Sequence, residues 1–157
     1  MANDLVQLEI VLTAKDERIM NKLSKLAHDI VDMHETMDAI GEAMAKFGEA
    51  NIEAEGGLLN AQWKPLSQNY LNRKLKMYNV THELVATGKM KSSFAWNASE
   101  NSVEVGNNTP YWKYHQSSAP RTKMPYRPTI GFTDDIKNQI SNRIRKDLRR
   151  KLELASL

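Results

Sequence analysis

The stretch MHETMDAIGEAMAKFGEAN, residues 33–51, carries large apolar side chains at intervals of three and four. They are Met33, Met37, Ile40, Met44 and Phe47. This spacing places the side chains along one face of an α-helix. The pair Gly56–Gly57 is the strongest helix breaker nearby. The stretch therefore predicts an amphipathic helix that continues to about Asn51 and ends before the glycines.

A strand and a further helical pattern precede this stretch. Residues 5–12 place apolar side chains at every second position, namely Val6, Leu8, Ile10 and Leu12, which predicts a strand with one buried face. Thr13 followed by Asp16 resembles a capping box. Helical spacing then follows at Ile19, Leu23, Leu26 and Ile30. The sequence leaves open whether this pattern and residues 33–51 form two helices or one kinked helix.

Three shorter elements are predicted downstream. In WKPLSQNYLNRKLKMYN, residues 63–79, Pro65 stops any preceding helix and Ser67 can cap a short one. That helix would carry Tyr70, Leu71, Leu75 and Tyr78. The β-rich runs at residues 92–98 and 102–106 flank Glu100–Asn101 and predict a hairpin.

A final helix is predicted from Thr133, whose hydroxyl can cap it ahead of Asp134 and Asp135. Its apolar residues recur at intervals of four: Ile136, Ile140, Ile144, Leu148 and Leu152. Four residues overshoot one helical turn, so this stripe winds around the helix. We expect the start of the helix to dock on its own domain and its end to meet something else.

The composition bounds the function classes. A chain of 157 residues fits one domain, which we divide into 1–55 (strand and helices), 58–133 (sheet and proline-rich loop) and 134–157 (C-terminal basic helix). The absence of cysteine excludes disulfides and thiolate sites. No apolar run approaches a membrane span, and the N-terminal residues do not resemble a signal peptide. An intracellular protein, or one assembled there, is expected, without a membrane partner.

The formal net charge of +3 is unevenly distributed. Residues 1–60 hold twelve acidic and five basic side chains, whereas residues 61–157 hold seven acidic and seventeen basic ones. One interpretation is two solvated faces. The other is head-to-tail association, because complementary potentials steer and orient contacts.

Residues 111–128, YWKYHQSSAPRTKMPYRP, combine four basic side chains, one histidine, four large aromatics and three prolines without an acid. Prolines restrict their own backbone and that of the preceding residue, so no long regular element is expected here. We call this segment the proline-rich loop. It could serve as a catalytic loop, as a grip on nucleic acid, or as a stiff connection that fixes one subunit against another.

No complete catalytic or metal-binding set is present in the sequence. The histidines His28, His34, His82 and His115 include no HExxH pair, and the ATGKMKSS segment at residues 86–93 lacks the residues of a phosphate loop. His115 is better explained as a hydrogen-bonding residue of the loop than as a general base. The sequence therefore predicts a protein that is not an enzyme and holds no cofactor.

Nucleic-acid binding is the alternative function that the residues themselves suggest. No acid lies between Val105 and Thr133, and the proline-rich loop interleaves cations with aromatic rings. The second half of the predicted C-terminal helix adds six cations: Arg143, Arg145, Lys146, Arg149, Arg150 and Lys151. No recognisable nucleic-acid motif accompanies them.

The order of several motifs resembles the phage virion morphogenesis family, the tail-completion or head–tail joining proteins of tailed bacteriophages and prophages. The matching stretches run from about residue 43 to 148 and include WKPLSQNYLNRK, VATGKMKSSF, SVEVGNNTPYWKYHQ and MPYRPTIGFTDD. The residues that determine the fold would be Trp63, Pro65, Leu66, Gly88, Pro128 and Gly131. Trp112, Ser118 and Thr129–Ile130 depart from the family pattern.

The resemblance implies an α+β fold in which long N-terminal helices and a C-terminal helix pack on a small antiparallel sheet. It also implies a structural virion protein of the neck or tail that assembles in the bacterial host cytoplasm as a ring, with six copies expected. Its partners would be further copies and neck, connector or tail-tube proteins, with nonspecific DNA contact as an addition. The subunit contacts would come from Tyr111, Trp112, His115, Gln116, Arg121, Lys123, Tyr126 and Arg127.

Overall fold

A computed structural model describes residues 32–119 and 124–155, together with helical positions between residues 18 and 28. The predicted strand at residues 5–12 lies outside the described residues. Arg18, Ile19 and His28 are among the helical positions, while Asp32 and Met33 are not helical. The described helical positions up to His28 and the helix that begins at His34 are therefore separated by two non-helical residues, Asp32 and Met33.

The first long helix, α1, spans His34–Glu53 and confirms the predicted amphipathic pattern. Met37, Ile40 and Met44 are buried and form one core cluster, and Phe47 is half-buried. The helix ends before Gly56, whose φ of 86° lies in the left-handed region. A Cβ atom at Gly56 would meet the Ala61 carbonyl oxygen at 2.2 Å, so this turn requires glycine. A short 3-10 helix, Gly57–Leu59, follows.

The sheet is the predicted hairpin. Strands β1 (Phe94–Ala98) and β2 (Val103–Asn107) pair antiparallel, with Trp96 opposite Val105. A 3-10 helix, Lys91–Ser93, leads into β1. The four-residue connection is closed by the Ser99 amide, which donates to the Ser102 carbonyl at 2.8 Å. One face of the hairpin lies on α1, where Val103 and Val105 pack against the first cluster.

Two glycines of α1 determine how closely the hairpin approaches. A Cβ atom at Gly41 would lie 2.3 Å from Trp96 Cδ1, and one at Gly48 would lie 2.7 Å from the Phe94 ring. Since real Cβ contacts are never this short, the two rings of β1 lie directly on the helix backbone. The seven-residue spacing of the glycines puts both on the same face of α1.

Helix α2 spans Gln68–Tyr78 and begins after Ser67, as predicted, although the Ser67 side chain makes no capping hydrogen bond. Lys74 is the one buried residue of this helix. Leu71 is half-buried, whereas four other large apolar side chains are exposed: Tyr70, Leu75, Met77 and Tyr78. Most apolar residues of α2 therefore face solvent in the single chain instead of contributing to its core.

The last two helices are α3 (Trp112–Gln116), within the proline-rich loop, and α4 (Asp134–Ala155). Thr133 caps α4, because its hydroxyl oxygen accepts the Ile136 amide at 3.3 Å. The first half of α4 packs on the core cluster of α1 through Ile136, Ile140 and Ile144. Leu152, near its end, is exposed. Docking of the start of α4 is thus confirmed.

The second half of α4 also contacts α1, through an ion cluster. Asp147 is buried and pairs with Arg150 at 2.6 Å and with Lys151 at 3.2 Å. Lys151 also donates to the Asp32 carbonyl. Burial raises the pKa of Asp147, but hydrogen bonds from Arg150, Lys151 and Thr36 outweigh burial and hold that pKa below its ordinary value. The cluster joins the far end of α4 to the start of α1.

A second core cluster consists of Ile52, Trp63 and Met90, with Phe94 and Trp112 packed against it. It lies where the end of α1, the foot of the hairpin and α3 meet. The described residues thus form helices around a two-stranded antiparallel sheet, which confirms the predicted α+β class.

Candidate functional site

The C-terminal end of the proline-rich loop is fixed by two buried side chains. Asn51, with 0% exposure, donates through Nδ2 to the carbonyls of Pro128 (3.1 Å) and Thr129 (3.2 Å). Its Oδ1 accepts the Leu58 amide at 3.1 Å. Trp63 Nε1 donates to the same Pro128 carbonyl at 3.2 Å. A polar residue at the end of the apolar face of α1 therefore ties the loop to the helix.

A second set of bonds joins α3 to the same end of the loop. Gln116 Oε1 accepts the amides of Thr129 (2.9 Å) and Ile130 (3.3 Å), while its Nε2 donates to the Ile130 carbonyl at 2.5 Å. Trp112 Nε1 donates to Thr129 Oγ1 at 2.7 Å. The side-chain amide of Gln116 bonds to the backbone as a neighbouring strand would. It thereby satisfies backbone N–H and C=O groups that lack a strand partner. Both described ends of the loop are thus held against each other.

Arg127 occupies the space between the loop and the segment that follows Trp63. Its side chain is 6% exposed, and its guanidinium donates to the Lys64 carbonyl at 2.5 Å. Its amide donates to the His115 carbonyl at 3.1 Å. Among the described residues, no atom accepts a hydrogen bond from the buried Nε of Arg127. A buried donor of this kind is a position where a further acceptor would be favourable.

Buried charges surround Arg127. Lys74 donates to the His82 carbonyl, and the Glu83 amide lies 3.4 Å from Glu55 Oε1. Burial lowers the pKa of both Lys74 and Arg127, and in each case the charge of Glu83 opposes this effect. The group is therefore a compensated cluster in which cations and carboxyls depend on each other.

The two carboxyls of this cluster have opposite pKa shifts. Burial and the neighbouring Glu55 carboxyl raise the pKa of Glu83 above its ordinary value of 4.5. The hydrogen bond from Glu83 lowers the pKa of Glu55, although burial opposes that effect. Glu55 also pairs with His82 at 3.2 Å. The fold thus shifts Glu83 toward its protonated form and Glu55 toward its ionised form, relative to the unfolded chain.

This arrangement predicts a pH-dependent contribution to stability. Because the folded chain raises the pKa of Glu83, its contribution is present below 4.5 and is lost as pH rises through the folded pKa. Glu83→Gln keeps a neutral donor, so we expect equal or greater stability at neutral pH, by up to about 1 kcal/mol. Urea unfolding of both proteins at low and neutral pH measures this.

The exposed substitution Glu42→Gln serves as the control, because Glu42 makes only a surface pair with Lys46. If Glu83→Gln lowers stability at neutral pH and not at low pH, the ionised carboxylate is the form that Lys74 and Arg127 require. That result would contradict the proposed protonation state.

A cleft of about 770 Å³ lies beside this cluster, between α2, the Ala86–Met90 turn and the proline-rich loop. Among the described residues, its lining includes four cations, which are Lys64, Lys74, Lys89 and Arg127, and no aspartate or glutamate. Tyr70 and Tyr111 provide aromatic walls, and Leu84, Met90 and Met124 provide apolar ones. We call this feature the cationic cleft. Its lining suits a ligand that combines a negative charge with an apolar part.

The predicted contact residues occupy different environments. Trp112, Gln116 and Arg127 make the intrachain contacts described above, whereas Tyr111 and Tyr126 are exposed. His115 lines the cationic cleft. Arg121 and Lys123 lie outside the described residues.

The predicted fold-determining residues are spread over the same region. Trp63 and Pro128 form the hydrogen bond that holds the loop, and Pro65, Leu66 and Gly88 line the cleft. A Cβ atom at Gly131 would lie 3.1 Å from Leu59, which indicates a close approach of two chain segments.

Several residues of this region were not singled out from the sequence. Asn51 continues the helical spacing of Met44 and Phe47, so a polar residue on a buried face was the available signal. Lys74 and Glu83 carried no local signal, because their burial depends on distant segments.

The basic face predicted for α4 is divided. Arg150 and Lys151 belong to the ion cluster with Asp147, whereas the remaining four cations, Arg143, Arg145, Lys146 and Arg149, are exposed. Among the described residues, no group of three potential ligands could hold a metal ion. None of the described helices combines the length and apolar character that a membrane span requires.

Comparison with known proteins adds one finding. The sequence matches the phage virion morphogenesis family over residues 14–149, which is most of the chain. No match was found among curated proteins or among solved structures. The matched family is a structural family and not a known enzyme family. Since the match covers far more than half of the sequence, the chain belongs to the phage virion morphogenesis family.

Proposed function

We propose that this protein is a structural component of the phage neck or tail, where copies assemble into a ring during tail completion or head–tail joining. In this role it carries no enzymatic activity. The observation that supports the proposal best is that buried bonds from Asn51, Trp63 and Gln116 hold both described ends of the proline-rich loop, where Tyr111 and Tyr126 are exposed.

A fixed loop is suited to association between subunits. Ordering a loop at an interface costs free energy, so a loop whose two ends are already held in the single chain binds with a smaller entropic penalty. Aromatic residues supply much of the binding energy at protein interfaces. In the ring, Tyr111 and Tyr126 would contact the neighbouring copy together with His115, Arg121 and Lys123. Trp112, Gln116 and Arg127 would act indirectly, by holding the loop in shape.

The charge distribution supports a head-to-tail arrangement. Heterologous contacts close into a ring when the rotation between copies permits it, and acidic and basic regions of one chain can then meet in successive copies. We propose six copies, and neck, connector or tail-tube proteins as the further partners. The virion is accordingly the proposed location, after assembly in the host cytoplasm.

Mass measurement and negative-stain electron microscopy of the purified protein test the proposal. The full chain is examined alone and with purified tail or connector components, at micromolar concentration. Closed rings, alone or on the end of a tail, are expected. A chain that stays monomeric and binds no neck or tail component would refute the proposal.

DNA binding is the second candidate function, favoured by the exposed cations of α4. Arg143, Arg145, Lys146 and Arg149 lie on its described surface, and Asp147 is the single acid among residues 136–152. Binding through phosphate contacts weakens steeply as salt increases. Fluorescence anisotropy with single- and double-stranded oligonucleotides across a salt series measures it. Absence of binding at low salt would eliminate this function, whatever the assembly state.

A further inference from the structure

The described walls of the cationic cleft leave packing and hydrogen-bonding groups unsatisfied. Its wall α2 has eleven residues, of which Lys74 alone is buried. An isolated helix of this length is marginal in water, so it depends on packing. The opposite wall holds Arg127, which is buried and has an Nε donor without an acceptor among the described residues. An occupant that covers Tyr70 and brings a carboxylate to the exposed cations Lys64 and Lys89 would complete both walls.

The hairpin carries a suitable occupant at its other end. We call residues 99–102 the hairpin tip. Glu100 and Asn101 are exposed there, and Glu104 is exposed nearby on β2. Ser99 and Ser102 close the tip through a hydroxyl–hydroxyl contact of 2.7 Å. The Met33 amide donates to the Glu100 carbonyl at 2.8 Å, which fixes the tip to the start of α1. The tip is thus an ordered acidic projection.

The tip and the cleft lie at opposite ends of the same hairpin. At the foot, Asn107 Nδ2 donates to the carbonyl of Met90, and Met90 lines the cleft. Five-residue strands separate this foot from the tip, a span of about 17 Å at 3.3 Å per residue. Because the paired strands hold the tip and the foot apart, a chain cannot place its own tip in its own cleft. The tip of a second copy can occupy the cleft.

We propose that the hairpin tip of one copy docks in the cationic cleft of the next, with the Glu100 carboxylate facing the cations of the cleft. The cleft volume of about 770 Å³ lies in the range of pockets that enclose a small ligand, and a four-residue turn fits such a space. The contact is heterologous, so repetition closes a ring or extends a filament. This inference rests on the proposed assembly and assigns its contacting surfaces.

Charge reversal tests the pairing on exposed residues that the fold does not need. Glu100→Lys changes the tip, and the double variant Lys64→Glu/Lys89→Glu changes the cleft. Sedimentation velocity of the full chain at micromolar concentration measures self-association. Each variant is expected to weaken self-association at least about tenfold. Combining all three substitutions in one chain restores opposite charges and is expected to recover most of the association.

Two matched reversals serve as controls. Glu42→Lys lies on α1 and Lys76→Glu on α2; both residues are exposed and neither belongs to the tip or to the lining of the cleft. Circular dichroism confirms that every variant keeps the helical content of the parent chain.

The outcomes separate this inference from the proposed function. If rings form and the tip and cleft variants assemble as the parent does, the inference is wrong and the ring stands. If the combined variant fails to recover association, Glu100 is not the partner of the cleft. If the cleft variant loses oligonucleotide binding without any loss of assembly, the cleft binds phosphate and the inference is overturned. A parent chain that never self-associates, either alone or with tail or connector components, refutes both.

Discussion

Asn51→Ala is expected to lower the free energy of unfolding by about 3–5 kcal/mol. The substitution removes two donors and one acceptor at a site with 0% exposure. It leaves the Thr129 carbonyl and the Leu58 amide without this partner, and the Pro128 carbonyl with the Trp63 indole N–H alone. Each buried group that loses its hydrogen bond costs about 1–3 kcal/mol. Denaturant unfolding followed by circular dichroism measures the loss.

The matched control is Asn72→Ala, the same chemical change at an exposed position of α2. Asn72 accepts a surface hydrogen bond from Gln68 at 2.9 Å, and its loss is expected to cost about 0.5 kcal/mol or less. A loss at Asn51 that is no larger than the loss at Asn72 would show that the loop is not held through this side chain.

Trp63→Ala is the second large effect, with an expected loss of about 3–5 kcal/mol. Trp63 is 5% exposed and belongs to the core cluster with Ile52 and Met90. Removing the indole leaves a cavity at the junction of α1 and the loop, and it also removes the hydrogen bond to Pro128. Thermal and denaturant unfolding of the variant measure the total loss.

Trp63→Phe separates the two contributions, because phenylalanine keeps most of the volume and loses the indole N–H. We expect a smaller loss, of about 1–2 kcal/mol. Since Trp63 and Asn51 donate to the same Pro128 carbonyl, the two alanine substitutions should not be additive. Strict additivity in the double variant would indicate that each residue stabilises a different part of the fold.

Asn51→Ala and Trp63→Ala are also expected to affect ring formation. If they free the proline-rich loop while α1 and the hairpin persist, ring formation should fail under conditions in which the chain is still folded. The stability of the loop and the proposed association are therefore linked through two residues that are themselves buried.

The sequence predicted the elements whose signals are local. The apolar spacing of α1, the β-rich runs around Glu100–Asn101 and the cap at Thr133 each depend on residues within a few positions of one another. The structure confirms all three. The family resemblance, which rests on motif order, is likewise confirmed.

Features that depend on distant partners could not be predicted in this way. The Arg127 guanidinium bonds to a carbonyl 63 residues away, and the Asn51 amide bonds to one 77 residues away. Gly41 and Gly48 carry no local signal within an amphipathic helix. They nevertheless decide how closely two rings of β1 approach the helix backbone. Periodicity reveals which face of an element is apolar; it does not reveal which segment covers that face.

Helix α2 is an example in which most of the predicted apolar pattern is not covered within the chain. Its apolar residues follow helical spacing, but Tyr70, Leu75 and Met77 are exposed. A sequence pattern alone does not distinguish a face that packs within the chain from one that is covered only after association.

The single buried anchor of α2 has a mechanical consequence for the proposed ring. A ring in the neck presents its two sides to different proteins, so identical copies must accommodate surfaces that do not share one shape. Helix α2 contributes no residue to either core cluster, so a tilt of this eleven-residue helix would leave both clusters in place. Such a movement of α2 would let the edge of the ring adapt to each partner while the rest of the fold stays rigid. The free-energy cost would fall on a few exposed side chains.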